Sequence, residues 1–343
     1  MPRPQILLVE EFYFAKKEWD DLACIADILV CDSPNRESFI QDCASKYNNI
    51  TCIYSSWRSA EITGVIDEEL ISKMPRSLRF IAHNGAGYDQ IDVSACSKAG
   101  IMVSHTPGAV SRATADTAIF LILGCLRNFP QGEYNLRKGS WRSETSVEIG
   151  NDPNGKTLGI LGMGGIGRSL AERARIFGMN VIYHNRQKIS WTNNARPLAE
   201  YVSFEKLLAK SDVLSLNLPL NSNTRHIISS LEISKMKRGG IIVNTARGGV
   251  LDTVALIEAL ESGHLKSIGL DVFEEEPHIP RQLVENPRVL LLPHMGTYTI
   301  EAQYDMEKLV IENLERAVEQ ARLITVVPEQ KGQQEHIMTK RRY

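Results

Sequence analysis

Apolar and polar positions along the chain fall into two rhythms. Short apolar runs bounded by turn residues recur as QILLVE (5–10), DILVC (27–31), NITCIYS (49–55), LRFIAHNGAG (78–87) and IMVSH (101–105), with a helical-period stretch at 16–26 between the first two. A second series starts at KTLGILG (156–162) and runs through NVIYHN (180–185), SDVLSLNLP (211–219), GGIIVNTA (239–246), SIGLDVF (267–273) and RVLLLPH (288–294). This β/α alternation predicts an α/β protein with two doubly wound parallel-sheet units. No residue-level repeat links them. From Ile300 to Leu323 the positions Met306, Leu309, Val310, Leu314, Ala317, Val318 and Ala321 recur every three or four residues, which predicts one face of a long helix.

Composition narrows the class without naming it. The 343 residues suit about two domains, and 43% hydrophobic with 23% charged residues is the balance of a globular enzyme. A formal net charge of −2 gives no reason to expect nucleic acid or an anionic membrane as partner, and the basic end TKRRY reads as a solvated tail. Six cysteines at 24, 31, 43, 52, 96 and 125 include no C-x-x-C pair, so neither a zinc site nor a disulfide framework is expected and reduced thiols in the cytoplasm are. The longest apolar stretch, AIFLILGCL (118–126), is too short to span a bilayer, and the N-terminus reads as a first strand rather than a signal segment.

The chemistry lies in the second series. Gly162, Gly164 and Gly167 form G-x-G-x-x-G between a strand-like run and the helix-like RSLAERARIFG, a spacing that turns the backbone tightly and aims a helix N-terminus at a pyrophosphate. About 20 residues on, where a carboxylate would grip the 2′-hydroxyl of NAD(H), stand His184, Asn185 and Arg186. No negative charge repels a 2′-phosphate there and Arg186 can pair with one, which tilts the expectation from NAD(H) towards NADP(H). Asn185 can equally bond a ribose hydroxyl, and Arg186 can be a surface charge. Further along, Arg247 in VNTARGG, Glu276 in GLDVFEEEP and His294 in LPHMGT each end an apolar run. A guanidinium to grip a carboxylate, an imidazole to carry a proton and a carboxylate to favour the imidazolium are what reduction of a 2-keto acid by a nicotinamide requires.

With GAGYDQID (85–92), TADTA (114–118), GILGMGGIG (159–167), MKRGGIIVNTARGGVLD (236–252) and PHMGT (293–297) in this order, the chain resembles the D-isomer-specific 2-hydroxyacid dehydrogenases over nearly its whole length. Within them it is most similar to the fungal glyoxylate and hydroxypyruvate reductase group. The resemblance implies two Rossmann-like domains with the active site in the cleft between them: a substrate domain in two segments, 1–112 and 297–343, the latter a return helix and tail, and an NAD(P)-binding domain at 113–296. It implies glyoxylate or hydroxypyruvate as substrate, His294 as proton donor, Glu276 as its partner and Arg247 on the substrate carboxylate, with Asn84 and the amides of Ala86 and Gly87 as a second grip. Cofactor contacts are implied at Gly162, Gly164, Gly165, Ile166, Gly167, Asn185, Arg186, Leu218, Pro219, Thr245, Ala246 and Asp271, the last through the nicotinamide carboxamide.

A homodimer is implied, and no metal is expected. Trp57 and Trp141 read either as borders of the substrate pocket or as ordinary packing and dimer contacts. The rival from another class is a dinucleotide-binding regulator resembling the C-terminal-binding-protein corepressors, which turnover of keto acids would exclude.

Overall fold

The computed structural model describes residues 3–142, 147–191 and 197–339. The basic end, 340–343, lies outside them. The chain forms two compact units, Met1–Val110 with Thr299–Tyr343, and Ser111–Tyr298. Both are layered α/β structures with all-parallel sheets.

The first unit carries β1 (Gln5–Leu8), β2 (Asp27–Val30), β3 (Ile50–Ser56), β4 (Phe80–Asn84) and β5 (Met102–Ser104), ordered β2-β1-β3-β4-β5. Two apolar layers cover its faces. One joins Leu7, Ile53 and Ile81 to Phe39 and Leu70, and the other joins Ile6, Tyr54, Phe80 and Met102 to the helix Ile300–Gln320. That helix starts at Thr299, whose side chain accepts the Ala302 amide hydrogen, and buries Val310, Ile311, Leu314 and Ala317. It stops sooner than the apolar period predicts. Ala321, expected on the buried face, is the exposed C-cap at φ 52, where the chain leaves the helix.

The second unit carries β6 (Thr157–Leu161), β7 (Asn180–His184), β8 (Glu200–Tyr201), β9 (Val213–Leu216), β10 (Gly240–Asn244), β11 (Leu265–Leu270) and β12 (Val289–Leu291), ordered β12-β11-β10-β9-β6-β7-β8. Its central strands β9 and β10 are buried throughout, as helices on both faces demand, which is why they read as unbroken apolar runs. The reversal of strand order at β6/β9 puts the loops after these two strands beside each other, the place where doubly wound sheets bind ligands. AIFLILGCL lies within the helix Ser111–Leu126, which packs on β10 and β11. Among the described residues no helix is long and apolar enough to cross a membrane.

Candidate active site

The glycine loop after β6 has the geometry that its spacing predicts. Gly162 sits at φ +101, and a Cβ there would stand 2.4 Å from the Asn217 carbonyl oxygen; a Cβ on Gly167 would stand 2.4 Å from the Gly162 oxygen. Only glycine lets strand, loop and helix approach so closely. Gly164 caps the helix Gly165–Ile176, and its Cβ position faces open space. The first-turn amides of that helix, at Gly165, Ile166 and Gly167, have no intrahelical acceptor and carry the positive end of its dipole.

Two buried oxygens beside this loop, Oδ1 of Asn217 and Oγ1 of Thr245, have no hydrogen-bond partner. Buried polar atoms are ordinarily paired, so these orphans at the ends of β9 and β10, next to Leu218, Pro219 and Ala246, fit an edge of a dinucleotide. Asn217 was missed in the sequence because it looks like any strand-ending polar residue. Asn185 is committed locally: its Oδ1 accepts the Met163 amide hydrogen at 2.7 Å and so ties β7 to the glycine loop. Arg186 is exposed and forms no ion pair with the described residues. No group of three metal-ligating side chains occurs among the described residues.

Arg247, Glu276 and His294 are brought together by three loops of the same unit. Asn244, fully buried at the end of β10, donates from Nδ2 to the Arg247 carbonyl at 2.8 Å and accepts the Ala246 amide hydrogen at 3.0 Å, which shapes the turn that presents Arg247. Glu276 accepts from the Phe273 amide through Oε1 at 2.8 Å and from His294 Nδ1 through Oε2 at 2.9 Å. With Nδ1 donating, Nε2 is the ring nitrogen left for chemistry. Burial pushes the Glu276 carboxyl up, but the bond and charge of His294, the Phe273 amide and the Arg247 charge outweigh it and hold the group below the ordinary range.

His294 itself sits at φ +56, a conformation uncommon for a residue with a side chain. It is held there by Asp271, which is 1% exposed: the Asp271 carbonyl accepts the His294 amide hydrogen at 2.8 Å, and its two carboxylate oxygens accept those of Met295 and Gly296 at 2.6 and 2.7 Å. The carboxylate expected to meet the cofactor is thus first a brace for the histidine loop, and burial pushes its pKa up against the pull of those amides.

In the first unit, the loop after β4 has its carbonyls tied down. Gly85 O accepts from the Thr106 amide, Ala86 O from His105 Nδ1 at 2.9 Å and Gly87 O from His83 Nε2 at 3.0 Å. Burial pushes the His105 pKa down, so the ring serves as a neutral donor. The amides of Ala86 and Gly87 keep no acceptor within the unit's described hydrogen bonds, while Asn84 donates to the Tyr54 hydroxyl and leaves its own Oδ1 buried and unpaired. Trp57 and Trp141 are both largely exposed, Trp57 with the Arg58 guanidinium 5.4 Å from its ring.

Comparison with known proteins places the chain in a family. Residues 119–296 match the model of the D-isomer specific 2-hydroxyacid dehydrogenase NAD-binding domain. The chain is 52% identical to 4-methyl-2-oxopentanoate reductase A of Aspergillus oryzae over 96% of its own length and 99% of that protein, and 44% identical to glyoxylate reductase 1 of Saccharomyces cerevisiae over 95% of each. The crystal structure of a glyoxylate reductase from Paecilomyes thermophila superposes with a TM-score of 0.91 at 51% identity, covering 96% of this chain and all of that one. These relatives are reductases, and the matched domain is a nicotinamide-dinucleotide-binding one, so the protein is an oxidoreductase. The chain belongs to the D-isomer specific 2-hydroxyacid dehydrogenase family.

Proposed function

We propose that the protein reduces small 2-keto acids to 2-hydroxy acids, glyoxylate or hydroxypyruvate foremost, with His294 as the proton donor. The observation that carries this reading is the 2.9 Å bond from His294 Nδ1 to Glu276, with the Arg247 charge acting on the same carboxylate. With a nicotinamide dinucleotide held at the glycine loop and the ends of β9 and β10, the cofactor would supply hydride chemistry. As charge develops on the keto oxygen, His294 Nε2 gives it a proton, and Glu276 stabilises the imidazolium beforehand. Arg247 sets fixed positive charge against the substrate carboxylate and the carbonyl. The amides of Ala86 and Gly87, with Asn84 beside them, are assigned to substrate binding as well.

NADP(H) is the favoured cofactor. No carboxylate stands at 184–186, and Arg186 is exposed and available to a 2′-phosphate. Cofactor contacts are assigned to Gly162, Gly164, Gly165, Ile166, Gly167, Leu218, Pro219, Thr245 and Ala246, with Asn217 added. Asp271 offers the nicotinamide carboxamide only the lone pairs that Met295 and Gly296 leave. The exposed apolar side chains Phe120, Phe129, Leu136, Trp141 and Ile149, gathered within thirty residues of the second unit, suit a homodimer interface. Six cysteines held as thiols suit a reducing cytoplasm.

A second substrate class, branched 2-keto acids, is favoured by the relative named for 4-methyl-2-oxopentanoate. The deciding experiment assays glyoxylate, hydroxypyruvate, pyruvate, benzoylformate and 4-methyl-2-oxopentanoate with NADH and with NADPH. The highest kcat/KM is expected for glyoxylate or hydroxypyruvate with NADPH; a higher value for the branched acid replaces the substrate reading. Arg186→Ala should weaken NADPH about tenfold to a hundredfold and NADH little, through loss of a charge-assisted phosphate contact. Equal effects on both cofactors would make Arg186 a surface residue.

A further inference from the structure

The turn that carries Glu276 holds a second glutamate with a histidine of its own. Glu274 Oε1 accepts from His226 Nε2 at 2.6 Å and lies 3.4 Å from Arg225 Nη1, and its Oε2 accepts from Thr253 Oγ1 at 3.2 Å. These partners come from two places, a loop at 225–226 and the start of the helix Thr253–Glu261. His226, like His294, has its backbone in the left-handed region, at φ +50, where its amide donates to the Gly249 carbonyl at 2.9 Å. Two strained histidines therefore grip two carboxylates of one turn.

On its other side the turn begins at Phe273, which is buried in the apolar core of the unit. A cavity of about 220 Å³ lies against it, lined by Leu251, Leu256, Val272, Phe273 and Leu283. One close backbone neighbour remains: a Cβ on Gly248 would stand 1.9 Å from the Phe273 carbonyl carbon and 2.2 Å from the Glu274 nitrogen. The chain just after Arg247 thus lies directly on the turn that carries Glu276. Phe273 anchors the start of the turn in the core, and beyond it the polar grip at Glu274 holds the exposed stretch that leads to Glu276.

We propose that Glu274 is a positioning residue, whose hold on His226, Arg225 and Thr253 sets the turn Phe273–Glu276 and with it the alignment of Glu276 towards His294 and Arg247. The proposal rests on the relay reading given above. It assigns Glu274 no contact with substrate or cofactor. Its effect is on geometry, so a neutral side chain that keeps an acceptor oxygen should largely replace it, whereas truncation should not.

The test is the pH profile of kcat for keto-acid reduction, measured for the wild type, Glu276→Gln, Glu274→Ala, Glu274→Gln and His226→Asn, alongside NADPH affinity. Asparagine tolerates positive φ but is too short to reach Glu274. Glu274→Ala and His226→Asn should lower kcat about tenfold to a hundredfold, the scale of a displaced catalytic group, with NADPH affinity unchanged. Their basic limb should move to lower pH, as in Glu276→Gln but by less, while Glu274→Gln stays close to wild type. If Glu276→Gln leaves the basic limb in place, the relay reading falls and the proposal with it. If Glu276→Gln moves the limb and Glu274→Ala does not, the proposal alone is overturned, and His226→Asn decides in the same way should Glu274→Ala not fold. A Glu274→Gln protein as impaired as Glu274→Ala also overturns it.

Discussion

Each unit buries one carboxylate and spends it on the backbone amides of a loop, and the two cases differ in what the loop carries. In the first unit Glu307, 2% exposed on the helix Ile300–Gln320, accepts from Tyr13, Phe14 and Ala15 at 3.0, 2.8 and 2.7 Å. In the second, Asp271 accepts from Met295 and Gly296, and the residue before them is His294. The device is the same: charge-assisted bonds satisfy amides that would otherwise be buried without partners. One brace fixes structure and the other aims a ring. The two parallel sheets differ likewise, since only the second has a glycine cradle at its reversal of strand order, so architecture alone does not say which sheet binds a dinucleotide.

The largest effect comes from removing what the second brace presents. His294→Ala should lower reductive turnover about a hundredfold to ten-thousandfold, with NADPH affinity nearly intact. Turnover near the wild-type rate would leave Asp271 as structural as Glu307. Glu276→Gln sharpens the point: without the carboxylate charge the imidazolium gives up its proton more readily, so the loss of reductase activity should grow as pH rises. A pH-independent loss would remove Glu276 from the relay.

Exchanging the braces themselves comes next. Asp271→Asn keeps one acceptor oxygen but turns an NH₂ towards an amide donor, so the His294 loop should shift and kcat should fall about tenfold to a hundredfold. Glu307→Gln meets the same conflict, costing about 1–3 kcal/mol for an unmet buried group, yet its kcat should hold. Thermal unfolding and kcat measured on both variants separate them. If Glu307→Gln lowers kcat as much as Asp271→Asn does, the contrast between the braces disappears.

The legible parts of this molecule were local. The apolar runs marked every strand but β8, whose two residues are too few to show a period, and the glycine spacing implied the turn at Gly162 because that conformation belongs to one residue type. The hidden parts depend on tertiary neighbours. Glu307 falls among the apolar positions of its helix, yet a carboxylate there reads as solvated until the loop at 13–15 is seen against it. Asn217 and Asn244 follow apolar strands like any terminal polar residue, and their roles appear only where two strand ends meet. Glu274 reads only as a neighbour of the motif glutamate, since nothing in the string EEE announces a contact with residues 225 and 226.

The smallest effect concerns a third carboxylate, which feels the brace of the first unit. Glu10, just beyond β1, accepts a hydrogen bond from the Ser56 hydroxyl, and its pKa is raised to about 7. Burial is the main cause; Arg58 opposes it, and the charges of Glu307 and Glu61 add to it. The folded state therefore keeps a proton that the unfolded chain releases near its ordinary value of 4.5. The stabilisation this provides is complete below that value and is lost as pH rises towards 7. Glu10→Gln cannot ionise, so its unfolding midpoint relative to wild type should climb by a few degrees between these limits and stay level on either side. Partial exposure of the group keeps the change small. In a Glu307→Gln background the window should narrow from its upper end, because one of the charges that raise Glu10 is gone. A midpoint difference that is flat from pH 4 to 8 would show that Glu10 keeps an ordinary titration in spite of its burial, and that the charge braced by the amides of Tyr13, Phe14 and Ala15 does not reach it.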